Sequence, residues 1–315
     1  MKYRYSISTA QGTRKYNQDR AACLEGDKSV LLILGDGLGG HAGGDIAADL
    51  LVDTASRAFL KIRTPVITEP SLFLALILQH THRAINSYTR HSNQDIDPRT
   101  TAVLCLVQNG YAYWAHAGDS RLYLFRNGSQ LTRTLDHTGR DQARATPGKS
   151  SSYTGTGLFN CIGGSHTPQI TLGPEIALQK GDRIMLCSDG VWQGMPTDEI
   201  TEYLYASDIE AGTDGMLDEI TRRHPKNCDN VTVLAFAWDD RSPPGQNLRH
   251  ESIRDLPANM VWREVRESEQ RLKNQTGQKT ANTAQPGVTN AELNELDSIL
   301  TEVESFVQKL ESQRG

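Results

Sequence analysis

The sequence lacks long apolar runs, clustered cysteines and an apolar N-terminal segment. No stretch of about 18 consecutive apolar residues occurs, which excludes a membrane-spanning helix. Residues Met1–Ser8 contain no apolar core, so no secretory signal is predicted. The five cysteines are scattered without a Cys-x-x-Cys pair, which is typical of reduced thiols rather than of a disulfide framework or a zinc site. Together these absences predict a cytoplasmic protein.

The chain also has little excess charge and a low apolar content. Its 33 basic and 38 acidic residues leave a net charge of -5, which gives no support for bulk nucleic-acid binding. Hydrophobic residues make up 37% of the 315 positions, a low value for a wholly packed chain. We therefore expect part of the chain to lie outside the core.

The first three-quarters of the chain alternate between strand-like and helix-like patterns. Val30–Leu34 is a short apolar run before a glycine-rich turn, as in a buried strand. Helical spacing of apolar residues follows over about 43–61 and 71–91, and again over about 197–222.

Several hairpins are predicted from Asn-Gly turns between apolar strands. Asn109-Gly110 separates 101–107 from 111–117, and Asn127-Gly128 follows 121–126. Further strands are expected at the segments Gln169–Leu178, Arg183–Cys187 and Val231–Ala237. Antiparallel hairpins with helices in separate blocks predict an α+β layered domain, with helices outside a sheet sandwich.

The composition changes after about residue 240. Residues 241–288 are predicted to be a linker containing a charged helix over Leu256–Lys273, with Pro257 in its first turn. Residues 289–315 begin with a capping box and continue as an amphipathic heptad helix. That helix either docks on the preceding domain or binds a partner or a second copy. Its seam consists of Leu293, Leu296, Leu300, Val303, Val307 and Leu310.

Five aspartates stand in turn-like contexts, and at least three of them follow apolar runs. A buried carboxylate is costly unless something pairs with it, and hard divalent cations relieve the repulsion between converging carboxylates. The pattern therefore predicts a metal site assembled from distant segments. The five residues are Asp19, Asp36, Asp119, Asp189 and Asp229.

Each motif has a simpler alternative when it is taken alone. Arg14 suits phosphate binding, but a single arginine is more often part of a surface salt bridge. Asp119 and Ser120 could simply cap a hairpin turn. The glycines of 35–44 allow close backbone approach, yet neither the P-loop spacing nor the Rossmann spacing is present.

Taken in order, these motifs resemble the metal-dependent serine/threonine phosphatases of the protein phosphatase 2C family, in their compact bacterial form. The resemblance covers about residues 4–238, and residues 1–240 are identified as the catalytic domain. The matching stretches are Gly12-Thr13-Arg14 with Asn17-Gln18-Asp19, Gly35-Asp36-Gly37 through Gly44, Gly118-Asp119-Ser120-Arg121, Leu131-Thr132 with Asp136-His137, Ser188-Asp189-Gly190, and Asp229-Asn230-Val231-Thr232.

The resemblance implies a fold and a metal centre. The fold is an α+β four-layer sandwich of two antiparallel sheets flanked by helix pairs, here with a C-terminal helical extension. The centre holds two Mn²⁺ or Mg²⁺ ions about 4 Å apart, and a water bridging them attacks phosphorus. By the resemblance, Asp36 bridges both ions and the Gly37 carbonyl completes one shell, while Asp189 and Asp229 hold the other ion.

The resemblance also assigns residues that act beside the metals. Asp19 acts through metal-bound water, Arg14 binds the substrate phosphate, and His41 is the general acid for the leaving oxygen. Asp136 can help to hold a weaker third ion in the family. Gln193 stands where many relatives carry an aspartate for that ion, so the third site is expected to be impaired. Gln18 stands where the family often carries a glutamate, which removes one carboxylate from the outer shell. Residues 138–165 correspond to a flap that often selects substrates.

The sequence thus predicts an enzyme that hydrolyses phosphoserine and phosphothreonine in proteins and opposes a bacterial serine/threonine kinase. A catalytically silent phosphatase-like binding module is one alternative, although the core metal carboxylates are all present. A metal phosphoesterase of small molecules is the other, because specificity lies in loops while the metal chemistry is shared.

Overall fold

The computed structural model describes residues 1–38, 43–62, 66–67, 69–92, 96–139, 141, 157–242, 244 and 260–261. Their strands form two sheets. The first sheet contains five strands in the order β1-β13-β12-β7-β8. These strands are β1 (Tyr3–Ala10), β13 (Val231–Trp238), β12 (Arg183–Cys187), β7 (Arg121–Arg126) and β8 (Ser129–Arg133).

The second sheet is built around a pair of long central strands, β3 (Ser29–Leu38) and β5 (Ala102–Gln108). Its order runs β14-β10-β6-β5-β3-β4-β9, with β2 also paired to β3 and β11 paired to β6. The remaining strands are β2 (Asp19–Glu25), β4 (Arg99–Thr100), β6 (Tyr111–Ala117), β9 (Ile162–Gly163), β10 (Ile170–Leu172), β11 (Ile176–Ala177) and β14 (Met260–Val261).

The continuous apolar run of β3 explains why its sheet is covered on both faces. Leu31 and Ile33 pack toward helices, whereas Val30, Leu32 and Leu34 pack into the layer between the sheets. Because successive side chains of a strand point to opposite faces, a continuous apolar run predicts burial on both faces. The order is therefore helix, sheet, sheet, helix, as the resemblance implied.

The helices lie in two groups. α1 (Gly44–Leu60) and α2 (Pro70–His91) share an apolar core with the second sheet, and α3 (Asp189–Gly194), α4 (Thr197–Leu204) and α5 (Ile209–Arg223) share one with the first. The first two match their predicted ranges to within one residue.

Two predicted elements are divided in the structure. The helical block 197–222 is two helices, because Asp208 caps a new helix by accepting a hydrogen bond from the Glu210 amide at 3.0 Å. The strand predicted over 169–178 is β10 and β11, separated by Gly173 and Pro174; proline has no backbone N–H to donate to a sheet. The turn predicted at Asp189 is the start of α3.

Most of the predicted C-terminal organisation, including the heptad helix at 289–315, lies outside the described residues. The charged helix predicted over 256–273 is wrong at its two described positions. Met260 and Val261 instead form β14, which pairs in parallel with β10. None of the helices in the described ranges is both long enough and apolar enough to cross a membrane.

Candidate active site

The five aspartates come from strand ends and turns of both sheets. In the second sheet, Asp19 begins β2 and lies directly opposite Asp36 near the end of β3. Asp119 stands in the turn from β6 to β7, Asp189 follows β12, and Asp229 precedes β13. Antiparallel pairing explains why these aspartates lie near one another, because the end of one strand lies beside the start of its neighbour.

The carboxylates of the two sheets influence one another. Burial raises the pKa of Asp36 well above its usual range, and the charges of Asp19, Asp189, Asp119 and Asp229 raise this pKa further. The site is therefore a concentration of negative charge to which both sheets contribute. Such an arrangement favours the binding of a cation, which would stabilise the ionised carboxylates.

Two other carboxyl groups show the same effect. Burial raises the pKa of Asp189 to about 7, and the charges of Asp119 and Asp229 add to the shift. Burial likewise raises the pKa of Asp119 to about 6, together with the charge of Asp136. Perturbed carboxyl groups that cluster at one end of a fold are typical of functional sites.

Asp19 has one satisfied oxygen and one unsatisfied oxygen. Its Oδ2 accepts a hydrogen bond of 2.7 Å from the Ser188 hydroxyl, which itself accepts one of 3.0 Å from the Thr232 amide. Its Oδ1 is buried and accepts no hydrogen bond from any described residue. Because a buried carboxylate oxygen without a partner is costly, this atom fits a site that receives a cation or its water shell.

The backbone of Asp36 is held by Thr101. Its amide donates to the Thr101 hydroxyl at 3.0 Å, and its carbonyl accepts from the Thr101 amide at 2.8 Å. The same hydroxyl lies 2.6 Å from that of Ser120, so the turn containing Asp119 is tied to the end of β3.

Gly37 makes the close backbone approach expected of the glycine-rich segment. A Cβ atom at this position would lie 2.3 Å from the Gly44 carbonyl oxygen, nearer than any real contact. Only glycine therefore allows the end of β3 to lie against the start of α1. His41, in the same segment, lies outside the described residues, and its assignment as general acid stays a prediction.

Arg14 lies at the exposed edge of the carboxylate cluster. One of its terminal nitrogens is 2.5 Å from Asp229 Oδ2, and the arginine side chain is 60% exposed. The negative charges of Asp189 and Asp36 also contribute to raising its pKa, after the hydrogen bond and charge of Asp229. An exposed guanidinium beside the cluster can pair with an incoming anion.

Asn230 fixes the loop of residues 11–18 that contains Arg14. Its side-chain oxygen accepts from the Gln18 amide at 2.9 Å, and its side-chain nitrogen donates to the carbonyls of Gln11 and Tyr16 at 2.9 and 3.0 Å. Gly12 adopts a φ of 61°, and a Cβ there would lie 2.1 Å from the Asp229 carbonyl oxygen. The loop is thus seated directly on the Asp229-Asn230 segment.

Asp136, predicted to help hold a third ion, is paired with arginines. Arg121 donates to both of its carboxylate oxygens, at 2.8 and 2.6 Å, and Arg133 approaches to 3.3 Å. Arg121 also stacks on Trp192, whose indole donates to the Asp119 carbonyl at 3.1 Å. The metal role of Asp136 stays a prediction, and in the structure the carboxylate has guanidinium partners.

The structure brings together Arg14, Asp19, Asp36, Asp189 and Asp229. Within the described ranges, no three histidine, cysteine, aspartate or glutamate side chains lie close enough together to hold a metal ion as they stand. The carboxylates form a looser acidic cluster, in which the charge of one raises the pKa of another. Gln193 donates to Asp189 Oδ2 at 2.7 Å, so this glutamine is a neighbour of the cluster.

The sequence did not predict which side chains hold the aspartates and the neighbouring loops in place. These side chains are Ser188, Thr101, Trp192 and Asn230. Ser188 and Asn230 stood inside matched motifs, but neighbourhood in sequence does not show which distant atom a side chain reaches. The only signal was a polar residue beside an aspartate at the edge of an apolar run.

Comparisons with known proteins agree with this fold and indicate a family. A profile of the family described as "Protein phosphatase 2C" matches residues 9–223. The chain is 29% identical over 206 residues to a Listeria innocua protein named serine/threonine phosphatase stp, covering 61% of this chain and 78% of that protein. It is 32% identical over 240 residues to the serine/threonine protein phosphatase PstP of Mycobacterium tuberculosis, covering 73% of this chain and 44% of PstP.

A solved structure has the same fold. The catalytic domain of the serine/threonine protein phosphatase PstP, determined in complex with 2 manganese ions, superimposes with a TM-score of 0.60. It is 24% identical in sequence, and the alignment covers 76% of this chain and 99% of that one.

The layered fold and the family match define the class of this protein, which is an enzyme of the phosphoprotein phosphatase type. The chain belongs to the protein phosphatase 2C family. Its match with PstP spans less than half of that protein's length.

Proposed function

We propose that this protein is a metal-dependent phosphatase that hydrolyses phosphoserine and phosphothreonine in proteins. The observation that carries the proposal is the acidic cluster, in which Asp19 Oδ1 is buried without a hydrogen-bond partner among the described residues and the exposed Arg14 pairs with Asp229. Carboxylates suit hard divalent cations, and a nearby arginine suits a phosphate.

The donors of the acidic cluster, which are carboxylates and a backbone carbonyl, are of the kind that divalent metal ions prefer. Asp36, Asp189 and Asp229 would hold Mn²⁺ or Mg²⁺, with the Gly37 carbonyl completing a shell. The manganese complex of PstP supports this choice of ion by kinship. When bound, such ions supply an acidified water and positive charge against the phosphoryl oxygens.

The other side chains would bind, orient and move protons. Arg14 would bind the phosphate oxygens and neutralise part of their charge. Asp19 would orient water through its free oxygen, since Ser188 already occupies the other one. His41 would protonate the leaving serine or threonine oxygen, and Asp136 would at most support a weaker third ion.

The substrates would be phosphoproteins produced by a serine/threonine kinase in the cytoplasm. The relatives' names support this class of substrate, because they are serine/threonine phosphatases. The segment from about residue 241, including the heptad helix at 289–315, would recruit a substrate or regulator or mediate self-association.

The first experiment measures hydrolysis of a phosphothreonine peptide by the full chain with Mn²⁺, with and without EDTA. Wild type, Asp36→Asn and Asp27→Asn are compared. Asp27 is an exposed residue in the turn between β2 and β3, so the same chemical change there serves as a matched control.

We expect turnover that EDTA abolishes and that Asp36→Asn lowers by at least about a hundredfold, while Asp27→Asn has little effect. A folded, metal-loaded wild-type protein without turnover would refute the proposal. Metal-dependent hydrolysis of small phosphate esters with none of the peptide would instead point to a metabolite phosphoesterase.

A further inference from the structure

The loop of residues 11–18 presents several consecutive exposed side chains at the edge of the acidic cluster. Arg14, Lys15 and Tyr16 are all exposed, and Tyr16 reaches 63%. An aromatic ring with this exposure beside two cations is unusual for a loop that only connects two strands. Such residues are enriched where proteins bind partners.

The backbone that carries these side chains is held in place. The Gln11 side chain donates to the carbonyls of Arg14 and Lys15 at 2.8 and 3.2 Å, and Asn230 donates to that of Tyr16. The side chains are therefore exposed from a fixed loop. A fixed loop loses little conformational entropy when a ligand binds, which favours a role in recognition.

The two cations of the loop differ in their partners. Arg14 is paired with Asp229 and faces the cluster. Lys15 forms no ion pair with any carboxylate in the described part of the chain, and its Nζ lies 5.0 Å from the centre of the Tyr16 ring. Lys15 is thus a positive charge available to a ligand that extends past Arg14.

We infer that Lys15 and Tyr16 form a subsite that selects phosphoprotein segments carrying an acidic residue beside the phosphorylated one. The inference rests on the proposed function and names its substrate class. With the phosphate at Arg14, a residue next to the phosphorylated one would lie near the following residues of the loop, Lys15 and Tyr16. An acidic side chain there gains the charge of Lys15, whereas a basic one is repelled.

The test compares two phosphothreonine peptides that differ only in having glutamate or lysine on both sides of the phosphorylated residue. The readout is the ratio of their kcat/KM values, because a ratio is unaffected by changes in overall activity. We expect wild type to prefer the acidic peptide by about threefold to fivefold, the range of an exposed ion pair. The preference should shrink as salt is added.

Two variants of Lys15 and one control define the residue's role. Lys15→Gln should bring the ratio close to one, and Lys15→Glu should make the basic peptide the better substrate. Lys28→Glu applies the same charge change to an exposed lysine in the β2–β3 turn, at the opposite end of that hairpin from Asp19 and Asp36, and should leave the ratio unchanged.

The outcomes separate this inference from the proposed function. Turnover of both peptides with equal kcat/KM, or a wild-type preference that Lys15→Glu does not alter, would overturn the inference and leave the phosphatase intact. A shift of equal size in Lys28→Glu would also overturn it, because net charge would then explain the effect. No metal-dependent turnover of either peptide would refute the proposed function, and the inference with it.

Discussion

Ser188 is fully buried between two segments of the site. Its hydroxyl donates to Asp19 and accepts from the Thr232 amide, so one oxygen atom joins the start of β2 to β13. Its own backbone amide donates to the Thr232 carbonyl at 3.1 Å. Ser188 therefore positions Asp19 without touching a substrate.

Replacing Ser188 with alanine should destabilise the protein. Asp19 Oδ2 and the Thr232 amide would both lose a buried partner, at a cost of about 1–3 kcal/mol in the free energy of unfolding. Urea unfolding of the full chain measures this effect, with Ser207→Ala at an exposed position as the control. Equal stabilities of the two variants would contradict the assigned role of Ser188.

His116 couples stability to pH behind the same site. It is fully buried, its Nε2 lies 2.9 Å from the Leu135 carbonyl oxygen, and its ring stacks on His137 at 4.7 Å between centroids. Burial lowers the pKa of His116 to about 4, although Leu135 and Asp136 oppose this shift. The folded state therefore keeps this histidine neutral where the unfolded state, with a pKa of about 6.5, is protonated.

We expect stability from His116 to be present above about pH 6.5 and to be lost as pH falls toward 4, because the unfolded state then binds the extra proton. Between about pH 7.5 and 5 the loss is about 2 kcal/mol. The loss is checked by measuring the urea unfolding midpoints of wild type and His116→Gln over this pH range. The urea midpoint of wild type should fall more steeply as pH decreases than that of His116→Gln. Comparing the two proteins removes the contributions of the carboxyl groups that they share. Parallel curves would contradict the prediction.

At the scale of elements, the side chain of Asn230 connects the loop of residues 11–18 to the segment before β13. Asn230 contacts it at Gln11, Tyr16 and Gln18. Thr13 adds contacts to the Cys228 carbonyl through its amide and its hydroxyl, both at 2.9 Å. The position of Arg14 is therefore set by the start of β13, more than 200 residues later in the chain.

Asn230→Ala should loosen this loop while the sheets remain intact. Hydrogen exchange of the loop amides should accelerate by about a hundredfold, since three hydrogen bonds worth about 1 kcal/mol each are lost. Exchange in β5 should not change. Asn227→Ala, at an exposed neighbouring position, is the control, and unchanged loop exchange in Asn230→Ala would refute this account.

At the scale of the whole molecule, two sheets and two helix groups form a layered domain whose elements, apart from β14, lie within residues 3–238. β13, its last long strand, is buried at every position and lies between β1 and β12. β14 adds two residues to the edge of the second sheet. The domain therefore contains every described residue that the proposed function uses.

A chain shortened to residues 1–242 should fold and hydrolyse an aryl phosphate within about twofold of the full chain, because surface changes away from the site have small effects. Its association with a protein substrate or regulator should weaken, if the later segment recruits partners. Parallel assays of both properties test this. Equal loss of both would show that the segment is structural instead.

The sequence by itself determined many of the longer helices and strands and the class of chemistry. Continuous apolar runs such as Val30–Leu34 and Asn-Gly turns such as Asn109-Gly110 are local signals, because they act over a few residues. The order of the aspartate motifs was sufficient to predict the family, which the comparisons confirm. The splitting of 169–178 and 197–222 was missed, although Gly173-Pro174 and Asp208 are local signals for it.

Only the tertiary structure decided which atoms meet. Three contacts depend on strand register across the two sheets. Ser188 donates to Asp19, Asn230 holds the loop of residues 11–18, and Asp136 pairs with Arg121. Register is set by many side chains packing at once, so no segment specifies it alone. The same packing leaves Asp19 Oδ1 buried without a hydrogen-bond partner among the described residues and Lys15 exposed, and on these two observations both proposals depend.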